Sequence, residues 1–105
     1  MALKRKSVRG SRTGRPIMVL LDLLGRRWTL RIVWELRDEA LTSRALRQRC
    51  DNVSPTVLQR RLSELREAGF VDLDNPGGYF LTALGREMLK MFLPLHAFAE
   101  RWAKR

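Results

Sequence analysis

The apolar residues in the middle of the chain recur at helical spacing. A Ser-Pro pair precedes them: the Ser54 hydroxyl can cap a free backbone N–H, and Pro55 at the first helical position lacks one. Gly69 follows as a residue that commonly ends a helix in a left-handed conformation. We therefore predict a helix over residues 54–68. Its apolar face consists of three leucines spaced by four and three positions: Leu58, Leu62 and Leu65.

The face opposite these leucines is rich in hydrogen-bond donors. A helix that is packed on one side and carries donors on the other suits the major groove of DNA, where base edges are read. An ordinary solvated surface helix has a similar composition, so this segment alone leaves both interpretations open. The donors are Thr56, Gln59, Arg60 and Ser63.

A helix apolar on nearly every side is predicted near the N-terminus. Pro16 suits its first position and Gly25 its stop, so the helix should end at Leu24. Such a helix must be covered on more than one side. In a domain of 105 residues, a second protomer is the favoured cover.

Two further helices are predicted before the donor-rich helix. The first covers residues 28–37, with apolar residues every four positions. The second is capped by Thr42 or Ser43 and runs to Cys50, which lies on the apolar side and is interpreted as a small buried hydrophobe. Residues 40–42 are too few to assign, although they could pair as an edge strand. Two helices joined by a short turn, the second rich in donors, form a helix-turn-helix pattern.

A β-hairpin and a long helix complete the predicted fold. The turn sequence Asn75-Pro76-Gly77-Gly78 separates two runs of strand-forming residues. A hairpin at this place is the wing of a winged helix. The last helix, over about residues 83–103, has apolar residues at alternating spacings of four and three, a heptad seam. The fold class is thus mainly α with a small hairpin, a winged helix-turn-helix. The seam comprises Leu84, Met88, Met91, Leu95, Phe98 and Trp102.

The first and last helices are predicted to form a homodimer. Part of the seam covers the protomer's own core, but its last turns extend beyond what one small domain can bury. The predicted interface residues are Ile17, Met18, Leu21, Met91, Leu95, Phe98 and Trp102.

Charge favours a polyanionic partner, and nucleic acid is the commonest one. The chain carries a net charge of +10, and its 21 basic residues include 17 arginines, whose planar fork suits phosphates and guanine edges. The first 15 residues contribute +6 without any acid, and residues 26–66 hold 10 arginines against 5 acids. We interpret residues 1–14 as a basic flexible tail and residues 15–105 as the folded DNA-binding domain.

Several other classes are disfavoured. The single cysteine excludes an internal disulfide and fits a reducing compartment, so a cytoplasmic, nucleoid-associated location is expected. The longest apolar run, residues 17–24, is interrupted by Asp22 and too short to span a membrane. With one histidine, no Gly-rich phosphate loop and no carboxylates clustered with a His or Cys, we expect neither an enzyme nor a bound metal or cofactor.

Residues 20–36, L-L-D-L-L-G-R-R-W-T-L-R-I-V-W-E-L, closely resemble the HxlR-type winged-helix regulators, relatives of the MarR group. The L-G-x-x-W-T element and a later L-T-x-x-G-R element carry the resemblance, which covers about residues 15–102. It implies a homodimer built from the first and last helices that reads a pseudo-palindromic operator in double-stranded DNA, usually as a repressor.

Two features depart from this pattern. Many members have a redox-sensing cysteine immediately before the proline of the first helix, whereas this chain has Arg15 there. Wings in the family tend to be longer with a basic tip, whereas Asp72 and Asp74 flank this one. Thiol sensing at that position and a minor-groove contact by the wing are therefore not expected.

We predict a sequence-specific, dimeric transcriptional regulator in which helix 54–68 contacts base edges through its four donors. Ser54 and Pro55 should place the N-terminus of that helix near a phosphate, and three arginines should hold the DNA backbone. These arginines are Arg44, Arg47 and Arg61.

Two alternatives stay open. The domain could be a protein-interaction module, or a non-specific DNA-binding protein that relies on its basic tail. A small-molecule effector pocket between protomers is a further alternative to plain core packing. Its walls would be Met18, Met88, Met91 and Phe98.

Overall fold

Five helices and a two-stranded antiparallel hairpin make up the described part of the chain in a computed structural model that describes residues 14–105. The predicted basic tail lies, except for its last residue, outside the described residues. In chain order the elements are α1 (Pro16–Leu24), α2 (Thr29–Glu35), α3 (Ser43–Arg49), α4 (Pro55–Glu67), β1 (Val71–Asp74), β2 (Gly78–Leu81) and α5 (Ala83–Ala103). The predicted winged helix-turn-helix order is confirmed.

Side-chain caps begin three of the helices. The hydroxyl of Thr42, rather than that of Ser43, accepts from a backbone N–H of α3. Ser54 caps α4 in the predicted way, and Thr82 caps α5. Each hydroxyl satisfies one of the N–H groups that a helix N-terminus leaves without an internal partner.

Helix α2 is shorter than predicted. Trp28 adopts a left-handed conformation, with φ of 79°, and precedes the helix, while Leu36 follows it as the C-cap. An L residue at positive φ cannot continue a right-handed helix, so the apolar spacing extends beyond the helical backbone. Trp28 and Leu36 still pack in or against the core.

The turn between α3 and α4 requires left-handed backbone at two residues. Asp51 and Asn52 both have φ of 56°, a conformation that Asp and Asn tolerate better than most side chains do. Val53 follows and is buried. This turn leads into α4, which packs against α3.

The hairpin pairs Val71 with Leu81 and Asp74 with Gly78. Leu41 adds a single bridge to Tyr79, with two backbone hydrogen bonds of 2.9 and 2.8 Å, so the predicted edge pairing of residues 40–42 is limited to one residue. Gly78 permits this close approach because a Cβ there would lie 2.4 Å from the backbone oxygen of Leu41.

One core holds α4 in place. The three leucines of its apolar face are almost fully buried, together with residues of α2, α3, the hairpin and α5. Among the five described helices, α1 alone has no buried residue. The core therefore fixes α4 much more firmly than it fixes α1.

Candidate nucleic-acid interface

The outer side of α4 presents the four predicted donors to solvent. Thr56, Gln59, Arg60 and Ser63 are all exposed, and we call this set the donor face. Its rigid support is the row of buried leucines on the opposite side of the same helix. Because the helix is held by the core, its exposed side chains keep fixed positions relative to the rest of the domain, which base-edge contacts require.

Gln59 of the donor face contacts a residue of the wing. Its Oε1 lies 3.4 Å from the hydroxyl of Tyr79, a mostly buried residue of β2. Sequence reasoning missed this neighbour, because nothing in the local pattern places residue 79 beside residue 59.

The N-terminus of α4 is exposed and available to an anion. The Oγ of Ser54 accepts from the backbone N–H of Val57 at 3.1 Å, and Pro55 occupies the first helical position. The remaining N–H groups of the first turn carry the positive end of the helix dipole, where a phosphate is favoured.

Three arginines of the helix-turn-helix are exposed: Arg44, Arg47 and Arg60. Within residues 14–105, Arg44 and Arg60 form no hydrogen bond or ion pair, so their guanidinium groups are free for an external anion. Arg47 donates its Nε to the backbone oxygen of Val53 at 2.8 Å, which holds the residue before the Ser54 cap, while the arginine side chain stays exposed.

Arg61 was predicted to contact the DNA backbone, but its side chain is bound within the protein. Its Nε donates to the backbone oxygen of Arg27 at 2.8 Å, and its Nη1 pairs with Glu64 at 2.9 Å. Only 16% of its side chain is exposed. An arginine whose donors are already used inside the protein has little left for a phosphate, so we leave Arg61 out of the interface.

The partners of Arg61 belong to a larger set of ion pairs that sequence reasoning missed. Arg26 contacts Asp22 at 2.9 Å and Glu64 at 2.7 Å. The hydrogen bond to Asp22 raises the pKa of Arg26 above its ordinary value. Spacing of four positions makes the Asp22–Arg26 pair predictable on a helical segment, but the contact with Glu64 joins residues 38 positions apart.

The turn before α4 has its own ion-pair support. Arg31 of α2 contacts Asp51 at 3.3 Å and donates to the backbone oxygen of Arg49, while Glu35 holds its Nε at 2.9 Å. These contacts tie α2 to the left-handed turn.

The wing is short and acidic. Asp72 and Asp74 are exposed on β1, and Asp72 pairs with Arg66 of α4 at 3.4 Å. Carboxylates near the DNA backbone are repelled by phosphate, so the geometry does not favour a contact between this wing and the minor groove.

Several large apolar side chains of α1 and α5 are exposed on the protomer. All but one of the predicted dimer residues are between 51% and 73% exposed, and Met18 is half-buried. These exposed residues form what we call the apolar stripe: Ile17 and Leu21 of α1 with Met91, Leu95, Phe98 and Trp102 of α5.

A groove of about 440 Å³ lies between α2 and α5. The rings of Trp34 and His96 stack there, with centroids 4.9 Å apart. None of the methionines of the predicted effector pocket lines this groove, whose walls are Leu30, Arg31, Trp34, Glu35, Phe92 and His96.

Cys50 is fully buried, as predicted. Burial raises the pKa of its thiol to about 11, from 9.0. The reactive thiolate is therefore scarce at neutral pH.

We expect no reaction of Cys50 with a disulfide reagent such as DTNB at pH 8 in the native state and one equivalent after denaturation. Rapid native labelling would contradict the buried position.

Residues 14–105 contain neither a candidate metal site nor a candidate membrane-spanning helix. No group of three or more His, Cys, Asp or Glu side chains could hold a metal ion in this range. The same residues include no helix that is both long and apolar enough to cross a membrane.

The fold and the donor face define a class of protein: a DNA-binding transcriptional regulator of the winged helix-turn-helix type. The family model described as HxlR-like helix-turn-helix matches residues 23–105, and the chain belongs to this family.

A solved structure shows a similar fold. The crystal structure of the quinone-bound YodB from B. subtilis matches this chain with a TM-score of 0.76 and 26% sequence identity. The match covers 82% of this chain and 96% of the YodB chain. The comparison with curated proteins finds no significant match.

Proposed function

We propose that this regulator binds a pseudo-palindromic operator as a homodimer and acts as a repressor. The single observation that carries the proposal is the donor face of α4, because four exposed donors lie on a helix whose opposite side is locked in the core. Membership of the HxlR-like family supports the regulatory role.

Each group of side chains has a distinct role in this proposal. The donor face contacts base edges and provides sequence specificity. The N-terminus of α4 at Ser54 and Pro55, with Arg44 and Arg47, contacts phosphates and sets the position of the protein on the duplex. The arginines are exposed and lie on the helix-turn-helix itself.

The apolar stripe supports the dimer. Six large apolar side chains on two helices would remain in water on an isolated protomer, and an uncovered apolar patch of this kind marks an interaction site. The heptad spacing along α5 suits packing against a second helix along its length. We propose that a second copy of the chain covers the apolar stripe. In a twofold dimer the same surface of each copy packs against its counterpart, so the stripe of one copy would cover that of the other.

Selection of bound sequences from a random DNA pool tests this function. We expect enrichment of two inverted half-sites whose centres are about one helical turn, roughly 34 Å, apart or a multiple of that. Enrichment of no sequence, or of an unpaired half-site, would contradict the proposal.

A further inference from the structure

A connected set of ion pairs joins the end of α1 to α4. Arg26, in the loop after α1, contacts Asp22 at 2.9 Å and Glu64 at 2.7 Å. Glu64 uses its other oxygen to bind Arg61 at 2.9 Å, and Arg61 reaches back to the backbone oxygen of Arg27 at 2.8 Å. We call the side chains of Asp22, Arg26, Glu64 and Arg61 the α1–α4 network.

The four side chains of the network are partly buried, and few of their charged atoms lack a partner. The exposed fractions of its four side chains range from 16% to 33%. Both carboxylate oxygens of Glu64 are paired, each with a different arginine. Ion pairs that are partly buried and linked to one another have a better-defined geometry than isolated surface ion pairs. Isolated surface pairs contribute little to stability.

Helix α1 packs against α2 but contributes less to the core than α4 does. None of its nine residues is buried, although Leu24 at its end is partly buried and packs against the core. By contrast, three leucines of α4 are buried. Within residues 14–105, the α1–α4 network provides the ion pairs between the α1 end and α4, so it is positioned to set the angle between these helices.

This angle matters because α1 carries part of the apolar stripe, at Ile17 and Leu21. In the proposed dimer, a change in the angle between α1 and α4 would change the separation and relative rotation of the two donor faces. One added base pair moves a half-site by about 3.4 Å and turns it by roughly 35° around the duplex. A rigid protein therefore accepts one spacing, whereas a flexible one accepts several.

We propose that Glu64 and Arg26 are positioning residues that determine the spacing between operator half-sites. This inference rests on the proposed function, since spacing has meaning only for a dimer that reads two half-sites. Neither residue contacts DNA in this proposal. Their effect is on which separation of half-sites is accepted, not on which bases are read.

The test measures binding of the purified full-length chain to a DNA library in which the selected half-site is repeated in inverted orientation with spacers of every length over one helical turn. We expect the wild-type chain to favour one spacer by about tenfold or more over its neighbours one base pair longer or shorter. Glu64→Gln and Arg26→Met should each reduce this preference to about twofold, with the half-site sequence unchanged.

The matched control is Arg66→Met, which removes a different ion pair of α4, that with Asp72 of β1. This variant should keep the wild-type spacing preference. Glu64→Gln and Arg26→Met variants that bind more weakly but keep the wild-type spacing profile would overturn the proposal, as would failure of both to fold, because the network would then serve stability alone. If the wild-type chain selects no paired half-sites, the proposed function itself fails.

Discussion

The double substitution Leu21→Glu with Phe98→Glu is expected to give a folded monomer that binds the operator about 10²–10⁴-fold more weakly than the wild-type chain. Both side chains are about half exposed on the protomer, so glutamate is tolerated there in the isolated subunit. In the dimer the same carboxylates would be buried without partners, which is strongly unfavourable. A monomer also loses the second half-site that makes binding tight.

Light scattering at micromolar concentration and gel shifts on the selected operator measure the two effects. Leu93→Glu is the matched control, because Leu93 is an exposed residue of α5 on the side away from the apolar stripe. It should leave both mass and affinity unchanged. A double variant that stays dimeric, or a monomer that retains full affinity, would contradict the assignment of the apolar stripe.

Arg60→Ala is the second substitution with a large expected effect. Its side chain is exposed and forms no hydrogen bond or ion pair within the described residues, so its removal should not disturb the fold. We expect a loss of about 1–3 kcal/mol on the selected operator and relaxed preference at one base pair of each half-site. Competition gel shifts against operators substituted one base pair at a time measure both.

Arg47→Ala provides the comparison. Because we assign Arg47 to phosphate, its removal should weaken operator and random DNA to a similar degree and flatten the dependence of affinity on salt concentration. If Arg60→Ala also weakened operator and random DNA equally, its role would be backbone contact rather than base reading.

Most of the fold follows from local patterns in the sequence. The Ser54-Pro55 start, the three leucines and Gly69 defined α4 to within a residue at each end, since caps and periodicity act over a few positions. The wing and α5 were predictable for the same reason. Trp28 shows the limit, because its left-handed backbone interrupts a segment whose apolar spacing is helical.

The candidate interface was only partly predictable. Exposure of the donor face follows from the position of the leucines on the other side of α4. The position of Arg61 does not, because its partner is a backbone carbonyl 34 residues away in a loop. Its neighbour Arg60, one position earlier, is exposed, and the contacts of Arg61 with Glu64 and with the loop after α1 distinguish the two arginines.

In the proposed function, α4 reads the DNA sequence and the basic tail does not supply the specificity. The most direct measurement is the ratio of dissociation constants for random and selected DNA, made with a chain lacking residues 1–13 at one fixed salt concentration. We predict that overall affinity falls but that the selected operator still binds at least about 10³-fold more tightly than random DNA. A ratio near one, or loss of all binding with the tail, would contradict the claim and favour a non-specific DNA-binding protein or a protein-interaction module.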